Sequence, residues 1–264
     1  MDANDRQNEI LSLLTQQDRV EVEDLARRFG VSLQTVRTDL RDLSARGQLS
    51  RVHGGAVRIS SAANRGYAER RSLNASGKRA MAALASDVIP ENCSIALNIG
   101  TSTEQVARAL SGHKGLTVLS NNINIINMMM GMEARDLILV GGTIRQSDGA
   151  IVGEEAVEFI NRYKVDYAVI GASAMDADGA ILDHDAREVS VARAILRNAR
   201  TRILMCDGSK FDRSAPVRIC ALAELDFVIT DRPVPAEFAE AAAASGTRIL
   251  IADGGPETES SEND

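Results

Sequence analysis

The sequence predicts an α/β protein made of two parts, a small winged helix-turn-helix and a larger domain built on a mostly parallel sheet. Short amphipathic helices and a hairpin fill the first part, whereas from Cys93 onward apolar strands alternate with amphipathic helices. We predict a winged helix-turn-helix domain at 1–58, a linker at 59–75 rich in Ser, Ala and Asn, a second domain at 76–252 and a disordered acidic tail at 253–264.

The composition excludes several classes of protein. Hydrophobic residues make up 44% of the 264 residues and charged residues 25%, which is typical of a soluble globular chain. The polar start resembles no signal peptide, and every apolar run is too short to span a membrane. The three cysteines, Cys93, Cys206 and Cys220, lie far apart, as expected for small core residues in a reducing compartment. We therefore expect a cytoplasmic protein with no metal, no cofactor and no membrane partner.

The charge is unevenly distributed. The net charge is −7, yet the segment 27–58 carries seven arginines against Asp39 and Asp42. A basic segment within an acidic chain is a local footprint for an anionic partner such as nucleic acid.

The first sixty residues follow the order of a winged helix-turn-helix. A helix at 5–16 precedes a short extended segment at 20–22, and a second helix ends at Gly30, a natural C-cap. Ser32 caps a third helix, whose inward stripe is Val36, Leu40 and Leu43. The segment 49–58 alternates like a hairpin that turns at two glycines, which predicts a wing.

The outer face of the third helix has the chemistry of base and phosphate recognition. Arginine forks pair with guanine, glutamine pairs with adenine, and threonine contacts phosphate or a thymine methyl group. The predicted DNA-binding residues of this helix and the wing are Ser32, Gln34, Thr35, Arg37, Thr38, Arg41, Arg51, His53 and Arg58. The alternative is a small helical interaction module with a solvated arginine face.

The second domain is predicted to place polar loops at one edge of its sheet. Strands are predicted at 94–99, 117–119, 137–140, 167–170, 203–206, 227–229 and 248–251, and helices at 76–88, 103–110, 123–131, 154–162, 187–200 and 236–244. Ligands of such sheets bind beyond the carboxyl ends of the strands. Gly100, Thr101 and Ser102 join a strand to a helix N-terminus there, which predicts a phosphate site.

Further polar residues follow the other strands. Arg145 and Lys210 are predicted to neutralise the phosphate, while Asn121, Asn122 and Asp183 bind hydroxyl groups. Gly141 and Gly142 complete the predicted pocket. Each has a structural alternative, since the glycines can simply form a turn and the asparagines can satisfy loop backbone. Three adjacent residues, 183–185, point in different directions and make a poor metal site.

The helix-turn-helix resembles that of the DeoR family of bacterial repressors. The resemblance rests on Val20-x-Val22-x-x-Leu25-Ala26, on Val31-Ser32-x-x-Thr35-Val36-Arg37-x-Asp39-Leu40, and on Arg51-x-His53-Gly54-Gly55-Ala56. It implies a repressor that binds double-stranded operator DNA. Thr38 departs from the basic or amide residue usual in the family, which implies altered base preference or phosphate attraction.

The resemblance extends through the second domain. It rests on Gly100-Thr101-Ser102, Ser120-Asn121-Asn122, Gly141-Gly142, Asp148-Gly149 and Asp207-x-Ser209-Lys210-Phe211. It implies a fold similar to ribose-5-phosphate isomerase and an effector that is a phosphorylated sugar or polyol, with glycerol 3-phosphate favoured. Asn98, which stands where the family usually has Asp, joins the predicted effector residues. Ser102 and Gly208 also depart, from the usual Thr and Ser.

The rival function is an isomerase-type enzyme. Asp183, Asp185, His184 and Lys210 supply acid–base groups, but no spacing in the sequence brings them together. An attached DNA-binding domain gives the pocket a use without catalysis. The resemblance implies self-association as a dimer or tetramer and release from DNA by the effector; the residues themselves leave open both the oligomer and the direction of the effect.

Overall fold

The computed structural model describes residues 3–17, 19–45, 49–52, 54–58 and 67–252. The chain divides into two compact units, Met1–Gly66 and Tyr67–Asp264. The predicted tail at 253–264 and the first part of the predicted linker, 59–66, lie outside the described residues. The remainder of that linker, 67–75, belongs to the second unit, where it contains a helix.

The first unit is a winged helix-turn-helix, as predicted. Its elements are α1 (Ala3–Gln17), β1 (Arg19–Glu21), α2 (Val22–Phe29), α3 (Leu33–Ala45), β2 (Leu49–Val52) and β3 (Gly55–Arg58). The strands form an antiparallel sheet in the order β1-β3-β2. The helices and the sheet share one apolar core, to which α3 contributes the predicted stripe of Val36, Leu40 and Leu43.

The turn between α2 and α3 is set by two local hydrogen-bonding caps. Gly30 adopts the left-handed conformation at φ 65°, and its N–H donates to the carbonyl of Ala26 at the end of α2. The Oγ of Ser32 accepts a hydrogen bond from the backbone N–H of Thr35 at 3.0 Å. Both predicted caps are confirmed, and together they fix where α3 begins.

The structure corrects two details of the first unit. Val22 begins α2 instead of ending the extended segment. Gly55 lies inside β3, so the two predicted turn glycines have different roles. Gly54 has the positive φ of 81° that the turn requires. A Cβ on Gly55 would lie 2.1 Å from the carbonyl oxygen of Val20, so glycine there allows β1 and β3 to approach.

The second unit is built on a seven-stranded parallel sheet. Its helices are α4 (Tyr67–Ser72), α5 (Ala75–Val88), α6 (Thr101–Ala109), α7 (Ile123–Met129), α8 (Glu154–Ile160), α9 (Ala186–Arg197) and α10 (Ala236–Ser245). Its strands are β4 (Ser94–Leu97), β5 (Thr117–Ser120), β6 (Asp136–Leu139), β7 (Ile144–Arg145), β8 (Ala150–Ile151), β9 (Val165–Gly171), β10 (Ala174–Met175), β11 (Ala180–Asp183), β12 (Ala199–Met205), β13 (Val217–Ala221), β14 (Phe227–Thr230) and β15 (Arg248–Ile251).

The main sheet has the order β15-β14-β12-β9-β4-β5-β6 and contains all seven predicted strands. Buried side chains of α5, α6 and α7 pack in one apolar cluster with β4 and β5. Those of α8, α9 and α10 pack in a second cluster, which includes Ala168 of β9 and Leu204 of β12. The predicted parallel α/β fold is confirmed, with helices burying both faces of the sheet.

One prediction for the second unit needs correction, and two small sheets were not predicted. The helix predicted at 187–200 ends at Arg197, because Ala199 already pairs with Val165 as β12 joins β9. The antiparallel pair β7-β8 and the small sheet β10-β11-β13 were not predicted. Strands of two to five residues are too short to show a clear alternation of apolar and polar positions.

No helix within the described ranges is both long enough and apolar enough to cross a membrane. In the same ranges, no three His, Cys, Asp or Glu side chains gather as metal ligands would. All three cysteines carry free thiols, with Cys206 and Cys220 buried as predicted and Cys93 half-buried.

Candidate nucleic-acid interface and anion pocket

The outer face of α3 presents the predicted recognition side chains. Gln34, Arg37 and Arg41 are exposed, and Thr35 and Thr38 are half-buried at the margin of the same face. Arg41 lies 3.6 Å from Asp42, an exposed contact that solvent screens strongly. An exposed helix face with two guanidinium groups and an amide fits the width and the chemistry of the major groove.

The remaining predicted DNA-binding residues are Ser32, at the start of α3, and the residues of the wing. The Ser32 hydroxyl lies 2.9 Å from that of Thr35 and accepts from the Thr35 N–H, so Ser32 caps the helix. The backbones of Arg51 and Arg58 lie in β2 and β3. His53 lies outside the described residues. Contact of the wing residues with DNA stays a prediction.

Part of the basic segment is neutralised within the unit. Arg27 pairs with Asp24, and Arg28 pairs with Glu9 at 3.1 Å. Both arginines belong to α2 and not to the recognition helix. Among the arginines of this segment whose side chains the structure describes, Arg37 and Arg41 therefore supply the positive charge of the recognition face.

A buried ion pair under the recognition helix was not predicted. Asp39 is 3% exposed, and its Oδ2 accepts a hydrogen bond from Nε of Arg6 at 2.5 Å. Its Oδ1 accepts from Nη2 of Arg6 at 3.2 Å and from the Gln7 amide at 3.3 Å. Asp39 therefore joins α3 to α1 from the face opposite the exposed arginines. One acidic residue in a polar helix gives no sequence signal of this inward role.

The pocket of the second unit lies at the carboxyl ends of β4, β9 and β12. The loop after β4 supplies Asn98 and Gly100, the first turn of α6 supplies Thr101 and Ser102, and Asn122 follows β5. Gly100 has φ 142° and immediately precedes α6, whose first backbone N–H groups have no partners within the helix. A positive helix end at the edge of a parallel sheet is a binding site for an anion.

Four cationic side chains line the same pocket. They are Arg70, Lys78, Lys210 and Arg213. Burial, reinforced by the neighbouring cations, lowers the pKa of Lys78 to about 8 although Asp207 opposes the shift. Burial likewise lowers the pKa of Lys210. Buried ammonium groups this close to other cations favour a bound anion, which would offset their mutual repulsion.

Acidic and amide side chains occupy the remaining wall. They include Asp148, Asp183, Glu188 and Asp207. The Oδ1 of Asn98 is buried and accepts no hydrogen bond in the described structure. A pocket-lining acceptor without a donor is suited to a ligand hydroxyl.

The structure brings together seven of the eleven predicted effector residues. Asn98, Gly100, Thr101, Ser102, Asn122, Asp183 and Lys210 line the pocket. Asn122 also caps α7, because its Oδ1 accepts from the Asn124 N–H at 2.8 Å. The Oδ1 of Asp183 accepts from the Ser173 hydroxyl at 2.9 Å.

The other four predicted residues do not line it. The amide of Asn121 donates to the carbonyl of Ile151 at 3.0 Å. Gly141 and Gly142 lie beside Phe159 and Ile151. Arg145 donates to both oxygens of Asp148, at 2.8 and 2.6 Å, and pairs with Glu188 at 2.5 Å. In this conformation its guanidinium group supports two pocket carboxylates instead of facing the pocket.

Sequence reasoning missed Arg70 and Lys78. Lys78 had a usable signal, because it is in register with Met81, Ala82 and Ala85 on the buried stripe of α5. A lysine on a buried stripe needs polar partners, and its Nζ donates to the carbonyls of Arg70 and Leu73. No such pattern distinguishes Arg70 from Arg71.

Two protein families match this chain. The family model of the DeoR-like helix-turn-helix domain matches residues 6–62, and that of the DeoR C terminal sensor domain matches residues 73–232. The chain belongs to the DeoR family. It is a transcriptional repressor with a DNA-binding helix-turn-helix and a sensor domain.

Two curated relatives of this DeoR-family repressor cover nearly its whole length. The glycerol-3-phosphate regulon repressor of Escherichia coli K12 is 38% identical over 89% of this chain and 93% of its own. The protein of the same name from Haemophilus influenzae is 36% identical over 94% of this chain and 97% of its own. Among solved structures, ribose 5-phosphate isomerase A from Neisseria gonorrhoeae is 16% identical, with a TM-score of 0.36, covering 50% of this chain and 52% of its own.

Proposed function

We propose that the pocket of this repressor binds a phosphorylated sugar or polyol and that binding releases the helix-turn-helix from operator DNA. The observation that carries the proposal is that four cationic side chains line the same pocket as the N-terminus of α6. A phosphate dianion would accept hydrogen bonds from the backbone N–H groups, from the Thr101 and Ser102 hydroxyls and from Lys210. A neutral sugar has no anionic group to accept from these cationic side chains and from the helix N-terminus.

The opposite wall supports a polyol as the rest of the ligand. Asn98 offers a buried acceptor, and Asp183 and Glu188 offer carboxylate oxygens that accept from hydroxyl groups. Because Asn98 is neutral, this wall repels a phosphate less than it would with the aspartate that is usual in the family at this position. Glycerol 3-phosphate is our first choice of effector, since it combines both groups and two relatives bear its name.

We further propose that the pocket senses its ligand without converting it. The attached helix-turn-helix gives binding a consequence, and the known relatives are repressors. The proposed assembly is a homodimer or homotetramer whose paired helices engage two half-sites of one operator in the cytoplasm. By linkage, the factor by which effector weakens DNA binding equals the factor by which DNA weakens effector binding.

The direct test is a titration of the repressor–DNA complex, followed by fluorescence anisotropy. DNA from upstream of its own gene cluster serves as the probe, and glycerol 3-phosphate, other sugar phosphates and glycerol are added in turn. We expect release by a phosphorylated polyol and none by glycerol, because glycerol lacks the anion. Release by none of the phosphorylated compounds would contradict the proposal. Measurable turnover of the ligand would show an enzyme.

The two sites are expected to be separable by mutation. Arg37→Ala removes an exposed guanidinium group of α3 and is expected to weaken specific DNA binding by about 1–3 kcal/mol per lost base contact. Thr101→Ala combined with Lys210→Ala removes pocket donors and should give a repressor that binds DNA but is not released. Anisotropy measures DNA binding and calorimetry measures effector binding. Loss of both activities in either variant would indicate misfolding instead.

Effector affinity is expected to fall as the pH rises above about 8. Burial lowers the pKa of Lys78 to about 8, so the empty pocket loses a positive charge in this range. A phosphate monoester is already a dianion above roughly pH 6, so the ligand itself changes little. The Kd should rise up to about tenfold per pH unit for each proton that binding takes up. Calorimetry in buffers of different ionisation enthalpy detects that proton, and a flat profile from pH 7 to 9.5 would contradict the assignment.

A further inference from the structure

Helix α4 links the pocket to the segment that joins the two units. It begins at Tyr67, directly after residues 59–66, and both Tyr67 and Arg70 line the pocket. With six residues, α4 is too short to be stable on its own. Its conformation therefore depends on the groups that hold it.

The first turn of α4 is held on neighbouring helices. The Tyr67 hydroxyl donates to Oε1 of Glu104 in α6 at 2.6 Å and accepts from the Asn124 amide of α7 at 3.1 Å. Glu104 is 1% exposed and Tyr67 is half-buried. The side chains proposed to donate to the phosphate take no part in these bonds. This end of α4 can stay in place when the pocket is filled.

The last turn of α4 is held by donors that belong to the pocket. The Nζ of Lys78 donates to the Arg70 carbonyl and, at 2.7 Å, to the Leu73 carbonyl. The Thr101 hydroxyl donates to the same Arg70 carbonyl at 3.3 Å. Both donors line the pocket at the N-terminus of α6. The groups suited to a phosphate are therefore already engaged with α4.

The Arg70 side chain, in contrast to its carbonyl, lacks a hydrogen-bond partner at Nε. Its Nε is buried and has no hydrogen-bond acceptor, and its Nη2 lies 3.9 Å from Oδ2 of Asp148, beyond hydrogen-bond distance. A buried guanidinium N–H without an acceptor is costly, and an anion in the pocket would remove that cost.

We propose that the effector phosphate exchanges these contacts: it takes the Lys78 and Thr101 donors from the Arg70 carbonyl and supplies the acceptor that Nε of Arg70 lacks. The exchange favours the phosphate, because the Thr101 hydroxyl gains a charged acceptor and the Lys78 ammonium group gains an opposite charge in place of neutral carbonyls. The last turn of α4 then loses its anchors while Tyr67 keeps the first turn in place. This inference rests on the proposed binding of a phosphorylated ligand.

The test is hydrogen–deuterium exchange on the full-length protein, with and without glycerol 3-phosphate or inorganic phosphate. Binding is expected to protect amides at the start of α6 and to speed exchange in peptides covering 67–75 by about fivefold, as for the loss of one or two hydrogen bonds. The Leu73 amide, which donates to Glu69 at 3.0 Å, should report the change. Slower or unchanged exchange in 67–75 on binding would overturn the exchange of contacts.

Two variants and a matched control make the test specific. Thr101→Val removes one anchor and should raise exchange in 67–75 without ligand, leaving a smaller ligand-dependent change. Arg70→Gln should weaken phosphate binding by about tenfold. Arg79→Gln removes the same charge from an exposed position beside Lys78 and should match the wild type in both measurements. Equal losses in Arg70→Gln and Arg79→Gln would mean that only the overall charge matters.

The outcomes separate the two proposals. If the protein binds a phosphorylated ligand and leaves DNA, but exchange in 67–75 does not rise, the proposed function holds and the exchange of contacts is wrong. If calorimetry shows that neither ligand binds and the other sugar phosphates also fail to release DNA, the proposed function fails and the inference fails with it.

Discussion

Asp39→Ala is expected to destabilise the helix-turn-helix unit by about 3–5 kcal/mol, the usual cost of removing one partner of a buried ion pair. The change would leave the Arg6 guanidinium group, whose side chain is 9% exposed, without its carboxylate. A domain this small is stable by only roughly 5 kcal/mol, so the variant should keep about 0–2 kcal/mol and unfold at a much lower temperature. DNA binding should fall with the folded fraction, although Asp39 faces away from the recognition side chains.

Thermal unfolding of the full chain, followed by circular dichroism, measures this effect, with effector binding as the check on the sensor unit. Asp42→Ala is the matched control, because Asp42 lies on the same helix with a side chain 42% exposed, and its loss should change little. Replacing both partners, as in Arg6→Met with Asp39→Leu, should recover much of the stability, since no buried charge then lacks a partner. If Asp39→Ala unfolds like the wild type, the buried pair does not stabilise the unit.

The comparison of Asp39 with Arg37 shows what sequence patterns can and cannot predict. The apolar stripe of Val36, Leu40 and Leu43 fixes which face of α3 is buried, so the exposure of Arg37 could be predicted. Asp39 lies just beside that stripe, and its burial depends on Arg6 at a separation of 33 residues. Periodicity describes one helix at a time and carries no information about a polar partner on another.

The pocket shows the same limit. Strand ends could be predicted from apolar runs, so the loops at 98–102 and 207–210 were correctly placed at one edge of the sheet. Arg70 and Lys78 reach the pocket from helices that precede the first strand of that sheet, and the rule about strand ends does not cover them. Arg145 was predicted to meet phosphate because charge and position were known, whereas its competing carboxylates were not.

Arg145 neutralises the carboxylates of Asp148 and Glu188, so Arg145→Met is the second substitution with a large expected effect. Burial tends to raise the pKa of Asp148, but hydrogen bonds from the Arg145 guanidinium group hold it below its usual range. Burial and the nearby Asp183 raise the pKa of Glu188 despite Arg145. Without the arginine, Asp148 and Glu188 would face one another with only Arg70, 3.9 Å from Asp148, as a nearby cation among the described residues, while Asp185 would keep its pair with Arg187. We expect a loss of roughly 3 kcal/mol in the stability of the sensor unit at neutral pH, at the low end for a buried pair because the arginine is partly exposed.

The pH dependence of that loss identifies its cause. In the wild type, the lowered pKa of Asp148 means that its contribution is present above about pH 4, its unfolded pKa, and is lost as the pH falls through the folded value. In the variant, carboxyl pKa values raised by burial and mutual repulsion make the folded state bind more protons than the unfolded one. The loss of stability of the variant relative to the wild type should therefore grow as the pH rises from about 4 to 7 and shrink on acidification. Urea unfolding at several pH values measures it, and Arg187→Met, which removes an exposed arginine paired with Asp185, is the control. A deficit independent of pH would mean that Arg145 acts through packing and not by neutralising the carboxylates.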